Sequence, residues 1–134
     1  MFFLYFIVFC RIIYLTHTVD VNSMTETIKR VLRQLGIGAN YKGFRITVLA
    51  VAMIVENEDR LTSVTKEIYL DVAKLTGFSP AAVERNIRTV ISRAWSCNQQ
   101  AFNQMAGYSL TAIPTVSEFL DIIANYVRRQ CNKS

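Results

Sequence analysis

Glu84, Arg85 and Arg88 lie within little more than one turn of a predicted helix, and their chemistry suits the recognition of base edges in DNA. An Arg side chain can donate two hydrogen bonds to O6 and N7 of guanine, and a Glu carboxylate can accept one from N4 of cytosine. The short side chains of Ala81 and Thr89 permit close approach to a base or contact with a thymine methyl group. These residues predict a helix that enters the major groove and reads a box containing G·C pairs.

The polar residues share one face because the other face of the same helix is apolar. The apolar residues follow the spacing i, i+4, i+7, i+8, i+11, which indicates a buried stripe; they are Val83, Ile87, Val90, Ile91 and Ala94. At about 100° per residue, the residues that point outward are Ala81, Glu84, Arg85, Arg88, Thr89 and Ser92. We predict base contacts for the three charged residues and groove or phosphate contacts for Ala81, Thr89 and Ser92.

Four polar residues at the ends of the preceding helix suit phosphate binding. We predict that Ser63, Thr65, Lys66 and Lys74 contact phosphates and fix the register without reading sequence. A simpler interpretation stays open for the charged face, because Glu84 and Arg88 at i, i+4 can form a solvated pair worth about 0.2 to 0.5 kcal/mol. Arg85 is then an ordinary surface residue.

The segment that carries these residues, Thr65 to Trp95, is typical of a helix-turn-helix. Its second helix begins with Ser79 as N-cap and Pro80 at the first helical position, and runs to about Trp95. Its first helix is predicted over Val64 to Leu75, with Thr62-Ser63 as the cap and Gly77 closing the turn.

The rest of the chain also predicts helices, and no alternating strand pattern occurs. The remaining predicted helices are Met24 to Leu35, the central buried helix Gly43 to Val55, a short helix at Ala101 to Met105, and Ser117 to about Arg129. The sequence therefore predicts an all-α, compact six-helix domain over residues 24–134.

Residues 1–23 form an apolar N-terminal extension, and its segment Met1 to Leu15 is shorter than the roughly 20 residues that span a bilayer. Three interpretations are open: sequence upstream of a true start at Met24, which we favour; a membrane-associating anchor; or a docked hydrophobic arm.

Composition narrows the function classes. The 134 residues are 51% hydrophobic and 19% charged, which favours one folded domain, and the net charge of +5 suits a polyanionic partner. Cys10, Cys97 and Cys131 form no CxxC pair, and His17 is the one histidine, so neither a zinc site nor a catalytic triad is indicated. We expect a cytoplasmic protein that is not an enzyme and holds no metal or cofactor.

An ordered series of residues resembles one family, the C-terminal effector domain of the sporulation initiation master response regulator (stage zero sporulation protein A family). The resemblance covers approximately Leu35 to Phe119. The matching residues include Tyr41-Lys42-Gly43-Phe44, Ser63-Val64-Thr65-Lys66, Tyr69, Asp71, Ala73, Lys74, Val83-Glu84-Arg85, Ile87-Arg88, Ile91, Ala94-Trp95, Gly107-Tyr108, Pro114-Thr115 and Ser117-Glu118-Phe119.

The resemblance implies a six-helix domain that binds TGTCGAA-like boxes, often in tandem, and contacts an RNA polymerase sigma subunit. It also implies that Glu84, Arg85 and Arg88 occupy the base-contacting positions. Members normally carry a receiver domain, whereas only residues 1–23 precede the effector-like part here, so we expect phosphorelay control to be missing. The segment Ser96 to Met105 departs from the family pattern, and we expect activation to be affected more than DNA binding.

Two other function classes stay open. One is a stand-alone helical module that antagonises or partners a full-length regulator, for which Arg85 would be dispensable. The other is a small membrane-attached protein, suggested by Phe2 to Leu15. Whether the domain binds DNA as a homodimer or in tandem is also open.

Overall fold

The computed structural model describes residues 22–133, without the side chains of Thr65 and Lys66. The described chain is helical, and no strand occurs within it, which confirms the predicted all-α class. Its α-helices are α1 (residues 22–34), α2 (Lys42–Glu56), α3 (Tyr69–Thr76), α4 (Pro80–Cys97), α5 (Gln99–Ala106) and α6 (Val116–Asn132). A 3-10 turn (Glu58–Ser63) and a π-helical turn (Val64–Ile68) connect α2 to α3.

α2 is the central helix, as its apolar pattern predicted. It packs against α3, α4 and α6, so that residues on almost every side of it are buried. An aromatic series joins the last three helices, because the ring of Phe102 on α5 lies 6.3 Å from Trp95 and 5.7 Å from Phe119. Neighbouring helices therefore cover one face of α4, and its opposite face is exposed to the solvent.

The start of α4 confirms the prediction from Ser79-Pro80. The Ser79 hydroxyl accepts a hydrogen bond from the backbone N–H of Ala82 at 3.1 Å, and Pro80 is the first helical residue. Gly77, which ends α3, has a φ of +80°, in the left-handed region that glycine adopts without strain. α6 begins at Val116, where Thr115 and Glu118 form a capping box.

The predicted cap at Thr62-Ser63 is wrong. Ser63 makes no capping hydrogen bond, and the Thr62 hydroxyl donates back to the carbonyl oxygen of Asp59 at 2.8 Å. The capping residue is Asn57, whose side chain accepts from the N–H of Asp59 and opens the 3-10 turn. The chain then passes through the π-helical turn, so the α-helical part of the predicted Val64–Leu75 helix is the shorter α3.

A buried ion pair explains this local geometry. Arg60 in the 3-10 turn forms an ion pair with Asp71 on α3, and its Nε lies 3.5 Å from the Glu67 carboxylate. These contacts hold the 3-10 turn against α3. The ends of the other predicted helices differ by at most three residues from those observed.

The apolar extension predicted over residues 1–23 lies almost entirely outside the described residues, as do Cys10 and His17. Within residues 22–133, no helix is both long enough and apolar enough to cross a membrane.

Candidate nucleic-acid interface

α3 and α4 are joined by three residues, Gly77, Phe78 and Ser79, and they pack against each other. Ile68 and Val72, just before and within α3, are fully buried, and so are Val83 and Ile87 of α4. Two short-linked helices with a shared apolar contact are consistent with the predicted helix-turn-helix.

The two faces of α4 are arranged as its sequence pattern predicted. The apolar stripe is 0–2% exposed, and it comprises Val83, Ile87, Val90, Ile91 and Ala94. On the other face, Glu84 is partly exposed, and the exposed residues are Ala81, Arg85, Arg88, Thr89 and Ser92. The six predicted outward residues therefore form one continuous surface of α4.

Glu84 and Arg88 form an ion pair on this surface. The Arg88 Nε lies 2.9 Å and its Nη2 2.7 Å from Oε1 of Glu84, and the two side chains are 68% (Arg88) and 37% (Glu84) exposed. An exposed pair of this kind contributes only a few tenths of a kcal/mol, so it holds Arg88 weakly. Among the described side chains, no acceptor or carboxylate engages Arg85.

The predicted phosphate-contacting residues lie at both ends of α3 and its preceding turn. Ser63 is half-buried, Lys74 is exposed on the last turn of α3, and the side chains of Thr65 and Lys66 are outside those described. The Thr89 hydroxyl donates to the carbonyl oxygen of Arg85 at 3.0 Å.

The sequence matches the family model described as sporulation initiation factor Spo0A C terminal over residues 28–127. The chain belongs to this family. The match extends beyond both ends of the Leu35 to Phe119 resemblance and includes the Ser96 to Met105 segment. The Spo0A C-terminal domain is a DNA-binding regulator of transcription and not a catalytic domain, so this chain carries a DNA-binding transcription-regulator domain.

Tyr69, on the first turn of α3 in this Spo0A-type domain, lies beside the charged face of α4. It is 5% exposed. Burial raises the pKa of its phenol, the nearby Glu84 carboxylate raises that pKa further, and Arg88 lowers it. The phenol therefore keeps its proton at neutral pH and is a hydrogen-bond donor next to the Glu84–Arg88 pair.

A second basic surface adjoins the outward face of α4, and the sequence reasoning missed it. Arg93 follows Thr89 by one turn and lies over the ring of Tyr41 with 5.3 Å between Cζ and the ring centroid. Lys42 and Arg45, on the first turn of α2, are exposed nearby. The spacing of Arg85, Thr89 and Arg93 by four residues could have indicated this surface, because residues at i, i+4 and i+8 lie along one side of a helix.

No group of His, Cys, Asp and Glu side chains in the part of the chain that the structure describes is placed to hold a metal ion. Cys97 and Cys131 form no disulfide bond.

Proposed function

We propose that α4 of this domain enters the major groove of double-stranded DNA, where Glu84, Arg85 and Arg88 contact base edges of a box containing G·C pairs. The observation that carries the proposal is the division of α4 into two faces. Burial of the stripe from Val83 to Ala94 fixes the rotation of the helix, and that rotation presents the three charged residues together to the solvent.

The ion pair between Glu84 and Arg88 is compatible with base reading. Both of its hydrogen bonds use Nε and Nη2 of Arg88, which leaves Nη1 available to a base. If Arg88 instead swings away to guanine, the pair that it gives up is worth about 0.2 to 0.5 kcal/mol. A bidentate contact with guanine discriminates by about 1 to 3 kcal/mol, so the exchange is favourable.

Phosphate contacts then fix the helix in the groove. Ser63, Thr65, Lys66 and Lys74 are proposed to bind phosphates at the ends of the first helix. Ala81, Thr89 and Ser92 are short enough to let α4 approach the groove floor. The phosphate contacts account for affinity and orientation but carry no sequence information.

One domain offers three base-contacting side chains, so we propose that useful specificity comes from two copies bound in tandem or as a homodimer. The family resemblance also implies contact with an RNA polymerase sigma subunit, which stays a prediction. The recognised box is proposed to resemble TGTCGAA.

The direct test is fluorescence anisotropy with a labelled duplex that contains two TGTCGAA boxes, compared with a scrambled duplex of the same composition. Titrations over a range of salt concentrations should give tighter binding to the box duplex and a linear decrease of log K with log salt. A chain that binds neither duplex at low ionic strength, or both equally at every salt concentration, contradicts the proposed function. A pull-down with a full-length regulator would then test the alternative of a protein-binding module.

A further inference from the structure

Two adjoining cavities lie at the start of α2, a smaller one where it meets the middle of α4 and a larger one where it meets the end of α3 and the turn that follows. One, of about 80 Å³, is bordered by Lys42, Thr89 and Arg93, and the other, of about 320 Å³, by Lys42, Arg45 and Phe78. Tyr41 and Lys42 border both cavities. We call the surface formed by Tyr41, Lys42, Arg45, Thr89 and Arg93 the basic notch.

Close packing of two helices creates the basic notch. Gly43 has no side chain, and a Cβ at that position would lie 2.6 Å from Cγ2 of Val90. This contact brings the first turn of α2 against α4, although Lys42 and Arg93 are far apart in the sequence. Arg93 is held in place by its stacking over Tyr41.

The charge in the notch has one sign. Three cationic side chains line the two cavities and no Asp or Glu does. In the described part of the chain, no carboxylate forms an ion pair with Lys42, Arg45 or Arg93. A surface with three cations and no internal counter-charge suits an anionic partner.

The basic notch continues the proposed DNA-reading face. Arg85, Thr89 and Arg93 lie on one stripe of α4, and Thr89 borders the smaller cavity. The separation of eight residues between Arg85 and Arg93 corresponds to about 12 Å along the helix. That length is comparable to the width of the major groove, about 12 Å, so Arg93 is within range of a bordering strand if α4 crosses the groove with Arg85 among the bases.

We propose that the basic notch binds a backbone phosphate of the same duplex that α4 reads. Lys42 and Arg93 contact the phosphate oxygens, and Arg45 adds positive charge at the outer edge. This inference rests on the proposed function, and it adds a phosphate site formed by α2 and α4 to the contacts expected from the ends of α3. Phosphate contacts position the protein and do not discriminate between sequences.

The first experiment measures binding by Lys42→Gln, Arg93→Gln and the double variant. Neutralising one phosphate contact should weaken binding about eightfold at 0.1 M salt, for box and scrambled duplexes alike, and should reduce the slope of log K against log salt by about 0.9. Both single variants address the same phosphate, so the double variant should weaken binding by less than the product of their effects.

The matched control is Lys133→Gln, which removes the positive charge of the exposed residue that follows α6. The end of α6 lies near the end of α2, away from the notch at the start of α2. This placement is shown by Arg128 on α6, whose Nη2 donates to the carbonyl oxygen of Ile54 near the end of α2 at 2.6 Å. The control should change affinity and slope much less than the notch variants do. Notch variants that match Lys133→Gln would overturn the proposal, provided that their thermal unfolding is unchanged. If Arg93→Gln does not fold, Lys42→Gln alone supplies the comparison with Lys133→Gln.

The second experiment replaces the phosphates of the box duplex one at a time by neutral methylphosphonates. At one position flanking the contacted bases, the replacement should weaken binding by the wild type but not by the Lys42→Gln/Arg93→Gln variant. If no position behaves in this way, the notch does not hold a backbone phosphate of this duplex. Failure of the wild type to prefer the box duplex contradicts the proposed function itself, whereas a preference without a phosphate effect contradicts only the notch.

Discussion

Gly43 on α2 lies so close to Asn86 on α4 that a Cβ at position 43 would be 2.8 Å from the Asn86 carbonyl oxygen. The same Cβ would meet the Val90 side chain at 2.6 Å. One of these atoms belongs to the backbone of a helix and cannot move aside alone. The position therefore requires glycine because of the close approach between the two helices.

Gly43→Ala should destabilise the domain. Forcing a methyl group into this contact costs about 1 to 3 kcal/mol, which the better helix propensity of alanine offsets by up to about 1 kcal/mol. Urea unfolding followed by circular dichroism should show a net loss of about 1 kcal/mol. Gly38→Ala is the control, because an added Cβ there meets only the flexible Asn40 side chain; equal stability of the two variants would contradict the prediction.

The features that the sequence predicted are those set by local pattern. The spacing from Val83 to Ala94 determined which face of α4 is buried, and Ser79-Pro80 determined where α4 begins, since both depend on residues close in the chain. The turn at residues 58–68 includes the pairing of Arg60 with Asp71, a tertiary contact that no local pattern in the sequence indicates, and the predicted cap there was wrong. The basic notch was missed for the same reason, because packing at Gly43 brings its residues together.

Thr47→Val should stabilise the domain. Thr47 is completely buried in α2, and within the described chain its hydroxyl is the one buried side-chain group without a hydrogen-bond partner. Removing an unsatisfied buried hydroxyl at nearly constant shape should raise the free energy of unfolding by about 1 kcal/mol. Thr27→Val is the matched control: Thr27 is also buried, but its hydroxyl donates to the Ser23 carbonyl oxygen at 2.8 Å, so this variant should gain nothing. A loss of stability in Thr47→Val would indicate a bound water or another partner.

Arg60→Ala should destabilise the domain much more than Arg88→Ala does. The Asp71 side chain is 8% exposed and pairs with Arg60, whereas the Glu84–Arg88 pair is largely exposed. Removing Arg60 leaves a nearly buried carboxylate without its cation, at a cost of about 2 to 3 kcal/mol, compared with under about 0.5 kcal/mol for the exposed pair. Thermal unfolding of both variants checks this order, and a double-mutant cycle with Asp71→Asn measures the pair itself. Equal effects of the two Arg variants would show that burial does not strengthen the Arg60 contact.

Glu56→Gln should stabilise the domain at pH 7 and have no effect at pH 4. Partial burial raises the pKa of the Glu56 carboxyl above 4.5, and Arg60 lowers it by a smaller amount. Because the folded state favours the protonated form, the wild type loses stability as the pH rises from 4.5 through the raised pKa, and glutamine does not. Glu58→Gln is the contrast, since its carboxylate pairs with Arg128 and neutralising it should not stabilise the domain at pH 7. Melting temperatures of the wild type and both variants at pH 4 and pH 7 test this prediction. A gain from Glu56→Gln that persists at pH 4 would contradict the raised pKa as its cause.

Arg88→Ala should relax specificity at one G·C pair, whereas Lys74→Ala should weaken binding to all sequences alike. Arg88 is 68% exposed on the proposed reading face, and losing a bidentate contact with guanine removes about 1 to 3 kcal/mol of discrimination at that base pair. Lys74 lies on the last turn of α3, where a phosphate contact would contribute to affinity only. Anisotropy titrations with duplexes substituted at each position of the box measure both effects. If Arg88→Ala loses as much affinity for scrambled DNA as for the box, Arg88 binds a phosphate and the base-reading assignment fails, while the buried face of α4 would remain as described.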